Sequence, residues 1–307
     1  MAYDEAIAVV TLVGSILSFI ATACVLCCFV VFHKNQRSFR HGLVFNLTLS
    51  DFINSANNTI SGAIYVRDHA LYSGAACRFN GWIGQVSVQA TDFSILAIGI
   101  STLLVVARMT QPAKISRLQI ICVCLSVWII PLTTGTVATA LGVMVPVNNN
   151  WCWIAADRTD LRYALTHGWR LAVFFLTVLI YAYIYWFFQR HMKSMLIAES
   201  RSEAEGELLP QASAEGGTGY TSFANDDIRK RSQKMEREVR RMLVLNGYPI
   251  LYVILWIPGI TSRLIQASGN NAVASSRVLM GLQTSTQFVG LANAVTYGWN
   301  QQWRQGR

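Results

Sequence analysis

The chain has 307 residues, 53% of them hydrophobic and only 13% charged, with a formal net charge of +9. A soluble domain of this length needs far more charge to cover its surface, so the composition excludes that class and points to a membrane protein. The basic excess falls mainly in loops on one side, against an anionic leaflet, and gives no case for nucleic acid.

Seven apolar stretches are long enough to cross a hydrocarbon core of about 30 Å: residues 6–32, 42–66, 78–107, 118–141, 166–190, 239–267 and 276–299. None shows the period-two alternation of a barrel strand, so the predicted class is all-α, a seven-transmembrane helix bundle. The first stretch opens Met-Ala-Tyr-Asp-Glu and carries its positive flank after the apolar run, at His33-Lys34-Asn35-Gln36-Arg37. That order reads as an anchor with its amino terminus outside, not a cleaved signal. With that orientation the inner loops and tail hold 18 of the 25 lysines and arginines, which satisfies the positive-inside rule and puts the carboxyl terminus in the cytosol.

The second stretch carries Asn46, Ser50 and Asp51, with Asn54, Asn57 and Asn58 continuing a polar stripe outward. An ionisable group inside a span costs roughly 2.5–3.5 kcal/mol on insertion scales, so Asp51 is expected to face the interior as a switch or ion site. The asparagines read as interhelical hydrogen bonders. The third stretch opens at Cys77, carries Gln85, Gln89 and Asp92 on one stripe, and ends at Arg108. Asp92 is expected to form the floor of a ligand pocket.

Between the fourth and fifth stretches lies Trp151-Cys152-Trp153-Ile154. Cys77 and Cys152 both face an oxidising compartment, and a disulfide between them would pin this loop over the mouth of the bundle. The other five cysteines sit in apolar runs as small hydrophobes, and Cys24-x-x-Cys27 has no histidine or acid near it to make a metal or redox site. All seven outer basic residues are arginines: Arg67, Arg78, Arg158, Arg162, Arg170, Arg263 and Arg277. Arg170 and Arg263 stand at the mouth ends of the fifth and sixth spans, where their planar forks suit an anionic ligand.

The third inner segment divides in two. Residues 199–227 are polar and rich in Gly, Ser and Ala, and are expected to be disordered. Residues 228–243 are helix formers carrying Lys234, Arg237, Arg240 and Arg241, a basic extension of the sixth helix suited to anionic lipid or a cytosolic partner. Pro249 and Pro258 each remove a backbone hydrogen bond, and Trp256 lies between them. The sixth helix is therefore predicted to bend, swinging its basic end. Gln283, Gln287, Asn293 and Tyr297 supply inward polar groups from the seventh stretch, and Asn293 and Tyr297 are expected to bond across to Asp51.

No phosphate loop, nucleophile elbow or zinc-binding helix occurs, so no enzyme, cofactor or metal is expected. Residues 276–299 contain no lysine, which excludes a retinal Schiff base. A transducer that moves helices on binding a ligand remains, with a seven-helix transporter or channel as the alternative and a ligandless scaffold disfavoured by the polar midplane.

Four stretches resemble the cyclic-AMP-receptor-like G-protein-coupled receptors, a slime-mould class with fungal relatives. They are Tyr248-Pro249 through Trp256-Ile257-Pro258, Leu291-Ala292-Asn293-Ala294-Val295-Thr296-Tyr297-Gly298, Trp151-Cys152-Trp153-Ile154 and Asn46-Leu47-Thr48-Leu49-Ser50-Asp51. The resemblance implies a multi-pass plasma-membrane receptor that activates a heterotrimeric G protein. The chain departs from rhodopsin-like receptors at Val106-Ala107-Arg108-Met109-Thr110, where only Arg108 stands for the usual acidic-Arg-Tyr motif. The expected ligand pocket is Gln85, Gln89, Asp92, Arg170, Trp256, Arg263 and Gln283, and the switch is Asp51, Asn293, Tyr297, Pro249 and Pro258. Arg108, Lys234, Arg237, Arg240 and Arg241 are expected at the G protein. By organisation, residues 1–198 hold spans one to five, 199–227 the third inner loop, 228–299 the basic extension with spans six and seven, and 300–307 a short tail whose lack of length leaves desensitisation to inner-loop sites such as Ser200, Ser202, Ser213, Thr221 and Ser222.

Overall fold

The computed structural model describes residues 4–31, 39–108, 116–147, 150–207, 247–267, 281 and 283–305. Helices α1 (Glu5–Val31), α2 (Phe39–Asp68), α3 (Ala75–Arg108) and α4 (Arg117–Ala140) follow the first four expected spans closely. After a hairpin of β1 (Met144–Pro146) and β2 (Cys152–Ile154), the short α5 (Thr159–Arg162) runs through a π turn (Tyr163–His167) into α6 (Gly168–Glu207). Helix α7 (Gly247–Ala267) and a 3₁₀ turn (Thr284–Phe288) leading into α8 (Val289–Gln305) complete the described chain. The basic stretch with Lys234, Arg237, Arg240 and Arg241 lies outside the described residues, as does Arg277.

Four of these helices, Glu5–Val31, Ala75–Leu104, Leu118–Ala140 and Thr159–Phe187, are long and apolar enough to cross a membrane by composition alone, with Gly247–Ser262 a shorter apolar helix. Helix α2 falls short because its inward face is polar: Asn46, Thr48, Ser50, Asp51, Ser55, Asn57, Asn58 and Ser61 are all buried. Leu43, Val44 and Leu47 are buried as well, whereas Phe45, Ile60 and Ile64 are exposed, as befits a face against lipid.

Three boundaries differ from the sequence reading, one of them at α8, which runs to Gln305 rather than ending at 299. The fifth helical segment starts at Thr159 rather than near 166, because its first turns pack under the hairpin: Leu161 and Leu165 lie against a core of Ala138, Val143, Met144 and Ile154. The helix also continues through residues 199–207, where disorder is expected from composition. That stretch is largely Glu, Ala, Arg and Ser, and the first strong breaker after it is Pro210. Residues 208–227 lie outside the described residues.

The chain forms two compact units, Met1–Val178 with Gly247–Arg307, and Leu179–Asn246. In the second unit, Tyr183 packs on Trp186 and Phe187, and the Arg190 guanidinium lies 5.5 Å from the Trp186 ring centroid. This pattern of aromatic rings with a snorkelling arginine suits a membrane interface.

Small and polar side chains join the helices of the first unit. The Ser18 hydroxyl donates to the Gln287 carbonyl at 2.6 Å, and a Cβ at Gly290 would lie 3.1 Å from Ser18 Cβ, so α1 and α8 touch nearly backbone to backbone. Trp128 Nε1 donates to Asn46 Oδ1 at 2.8 Å, and Asn46 Nδ2 to Ser94 Oγ at 3.2 Å, tying α4, α2 and α3 together. Asn46 is thus the bundle-holding asparagine that the sequence suggests.

Candidate functional site

Cys77 and Cys152 form a disulfide, with Cα atoms 5.4 Å apart. The hairpin it anchors is antiparallel, pairing Val145 with Trp153 and Pro146 with Cys152. Gly142, at φ 69°, makes the left-handed turn that leads into β1 from α4. Three further ties fix the lid. Asn80 Oδ1 accepts from the Cys152 amide at 2.8 Å, Asn150 Nδ2 donates to the Ala8 carbonyl at 3.0 Å, and Arg162 donates two bonds to the Ile154 carbonyl at 2.9 and 2.6 Å. Arg162 also stacks over Trp153, 5.1 Å from the ring centroid. This arginine therefore braces the lid. Arg67 and Arg158 form exposed pairs with Asp68 and Asp160.

Beneath the lid lies a cavity of about 100 Å³. Gln85, Gln89, Arg170, Trp256 and Gln283 line it, five of the seven residues expected from sequence. Trp151 and Trp153 contribute from the lid, and Asn54, Asn58 and Gln287 from α2 and the 3₁₀ turn. Asp92 does not line it. It lies below, nearly fully buried, and accepts from Arg170 Nε at 2.9 Å. The Arg263 side chain lies outside the described residues.

Arg170 departs most from expectation. From sequence it waits at the mouth for an anion, whereas here it reaches inward to a carboxylate at mid-helix on α3. Its guanidinium also stacks on Trp256, 4.0 Å from the ring centroid. Asp92 Oδ1 accepts from the Tyr252 hydroxyl at 2.9 Å. Tyr252 and Trp256 are one turn apart on α7, so a single face of that helix meets both members of the ion pair. Sequence reading missed Tyr252, since one tyrosine in an aromatic-rich span carries no signal of its own.

The π turn sets up this contact. Gln89 Nε2 donates to the Leu165 carbonyl at 2.6 Å, and Gln89 Oε1 accepts from the Thr134 hydroxyl at 2.6 Å. A Cβ at Gly168 would lie 2.6 Å from the Tyr163 carbonyl oxygen, so the turn requires glycine there. On two residues of the lining, Gln85 Oε1 and Trp256 Nε1 are buried with no hydrogen-bond partner among the described residues.

Asp51 is held by Asn293, as the sequence suggests, and by a residue the sequence reading did not name: Asn293 Nδ2 donates to Oδ2 at 2.7 Å and the Thr91 hydroxyl to Oδ1 at 2.8 Å. The Tyr297 ring packs on Phe29, with centroids 5.0 Å apart. Pro258 lies inside α7, and the nearby Leu255 carbonyl accepts from the Ser285 hydroxyl at 3.1 Å. Pro249 lies near the first described residue of α7, and its lever beyond Gly247 lies outside the described residues. Arg108 ends α3, its side chain likewise outside them.

Residues 4–195 match the family model Git3, described as a G protein-coupled glucose receptor regulating Gpa2. The chain belongs to the Git3 family. Ascaroside receptor GPR2 of Arthrobotrys oligospora is 27% identical over 183 residues, a match spanning 58% of this chain and 42% of that relative. Ascaroside receptor GPR3 of the same organism is 23% identical, over 96% of this chain and 86% of the relative. Squid rhodopsin matches the fold with a TM-score of 0.67 at 16% identity, covering 98% of this chain and 85% of that one. This Git3-family protein is therefore a seven-helix G-protein-coupled receptor for an extracellular ligand and not an enzyme.

Proposed function

We propose that the chain is a plasma-membrane receptor whose ligand is small, polar and uncharged, bound beneath the disulfide-tied lid and read out by a heterotrimeric G protein. The observation that carries this reading is the lining itself: amides from Asn54, Asn58, Gln85, Gln89 and Gln283, with indoles from Trp151, Trp153 and Trp256. Arg170, the described cation of that lining, is already paired with Asp92, which favours a neutral ligand over the anionic metabolite that the outer arginines suggest. Gln85 Oε1 and Trp256 Nε1 are buried without a partner among the described residues, and a hydroxyl-bearing ligand toward which these side chains turned would supply the missing donor and acceptor. The family description as a glucose receptor, and the ascaroside receptors among its relatives, agree with a nutrient or other hydroxylated ligand. The cavity is small beside the roughly 300–1,000 Å³ of drug-sized sites, so the ligand is small or inserts only one end.

The test is a screen of sugars, polyols, amino acids, nucleotides and organic acids, read as guanine-nucleotide exchange on a G-protein alpha subunit in membranes. Neutral hydroxylated compounds are expected among the hits, and Gln85→Leu is expected to weaken them roughly 2- to 12-fold, the loss of one neutral hydrogen bond. Hits confined to anions would overturn the ligand class. Solute movement without exchange would point to the transporter reading instead.

On the inner side, Arg108 and the basic stretch with Lys234, Arg237, Arg240 and Arg241 form the G-protein contact, lying against an anionic leaflet. The kinked α7 carries the signal there, with Asp51, Asn293 and Tyr297 stabilising one of two states. The motifs shared with cyclic-AMP-receptor-like receptors mark kinship between that class and the Git3 family. Pro249→Ala is expected to change basal or stimulated exchange at normal surface expression; an unchanged exchange rate would remove the bend at Pro249 from the mechanism.

A further inference from the structure

The cavity touches three helices through one charged cluster. Arg170 from α6 lines the cavity, pairs with Asp92 of α3 at 2.9 Å and stacks on Trp256 of α7 at 4.0 Å. Asp92 also accepts from Tyr252 of α7, which is 1% exposed. The Asp92 carboxylate thus has one oxygen on each neighbouring helix: Oδ2 on α6 and Oδ1 on α7.

We infer that Arg170 and Tyr252 are the coupling residues of this receptor: Arg170 transmits occupancy of the cavity, and the Tyr252–Asp92 bond holds α7 against α3 in the resting state. The inference rests on the reading above that a ligand occupies the cavity. Three features support it. Tyr252 lies on the inner side of Pro258, so a bend at Pro258 that swings the inner part of α7 must first release its hydroxyl from Asp92. Asp92 is nearly without solvent and depends on protein donors, so weakening either bond shifts the carboxylate toward the other. Arg170 is the member of the cluster with most access to the cavity, its side chain 14% exposed against 2% for Asp92. A ligand that hydrogen-bonds the guanidinium, or displaces it from Trp256, therefore changes how firmly α7 is held.

The test uses the 307-residue chain with no ligand added. Tyr252→Phe removes one hydroxyl, keeps the ring and both charges, and is the variant best placed to fold. Basal nucleotide exchange on a co-expressed G-protein alpha subunit is expected to rise severalfold, for a shift of roughly tenfold in the ratio of the two states, or about 1.4 kcal/mol. Asp92→Asn is expected to raise it as well, and adding Tyr252→Phe to Asp92→Asn to add nothing, because the hydroxyl acts through the carboxylate. A second readout needs no G protein: spin labels at Leu104 on α3 and Ile250 on α7, both exposed, in a background with the five free cysteines replaced. The distance between labels is expected to lengthen in Tyr252→Phe. If it lengthens while wild type and variants alike give no exchange, the coupling stands and the G-protein reading fails. An unchanged distance, or basal exchange that falls in Tyr252→Phe, overturns the inference.

Discussion

Replacing Arg170 with leucine is expected to destabilise the receptor by about 3–5 kcal/mol, the range for breaking a buried ion pair from one side. The change strands Asp92, which is 1% exposed and retains only the Tyr252 hydroxyl among its described side-chain donors. The reverse truncation, Asp92→Asn, should cost less. It leaves the charge on Arg170, which faces the cavity and stays stacked on an indole face. Removing both charges together, as Asp92→Leu with Arg170→Leu, should recover most of the loss, since apolar replacements for a whole buried pair are often neutral or better. Melting of detergent-solubilised protein, followed with a dye that reports exposed thiols, ranks the three variants. A loss in Asp92→Asn equal to or above that in Arg170→Leu would show that the cavity does not relieve the unpaired guanidinium.

The sequence names both members of this pair but assigns them separate tasks, and the reason is physical. Composition and helical period place a residue on a face and at a depth within its own helix, and they do so well here. Asp51 and Asn293 meet at 2.7 Å, and Cys77 and Cys152 are joined, because each pair stands at matched depth on helices whose phase runs regularly from their ends or on a loop with a single chemical option. Arg170 is different. Counted from the membrane boundary it belongs at the mouth, but a π turn just before it adds a residue to one turn and rotates everything beyond. Its partner is 78 residues away, and no local pattern announces it. Asn54 and Asn58 were legible as a polar stripe. That they line the cavity, while Asn57 pairs with Asn80, depends on the rotation of α2 against α3. The helical run through 199–207 shows the opposite weakness, since a polar composition resembles disorder even where its residues favour helix.

The π turn yields the other large prediction. Gly168→Ala is expected to destabilise the protein by about 1–3 kcal/mol: the residue is exposed, but its added carbon would strike backbone, a strain on the scale of overpacking. The new methyl would meet the Tyr163 carbonyl oxygen at 2.6 Å, a backbone atom that cannot rotate away. Relief requires the turn to tighten toward an ordinary α-helix, which holds one residue fewer over the same length. Tightening rotates the segment on one side of it by about 100°, the angle that one residue subtends at 3.6 residues per turn. If the inner side rotates, Arg170 leaves Asp92; if the outer side rotates, the Leu165 carbonyl leaves Gln89 and the lid is disturbed. Deleting one residue from the turn removes the conflict. Ala164 is exposed within it and is the residue to delete. Gly168→Ala combined with loss of Ala164 should therefore regain much of the stability that Gly168→Ala alone forfeits, with Thr166, His167 and Arg170 keeping their phase relative to α6. Thermal melting of the single and double variants decides the matter. A double variant less stable than Gly168→Ala alone would mean that the glycine is needed for some contact other than the π turn.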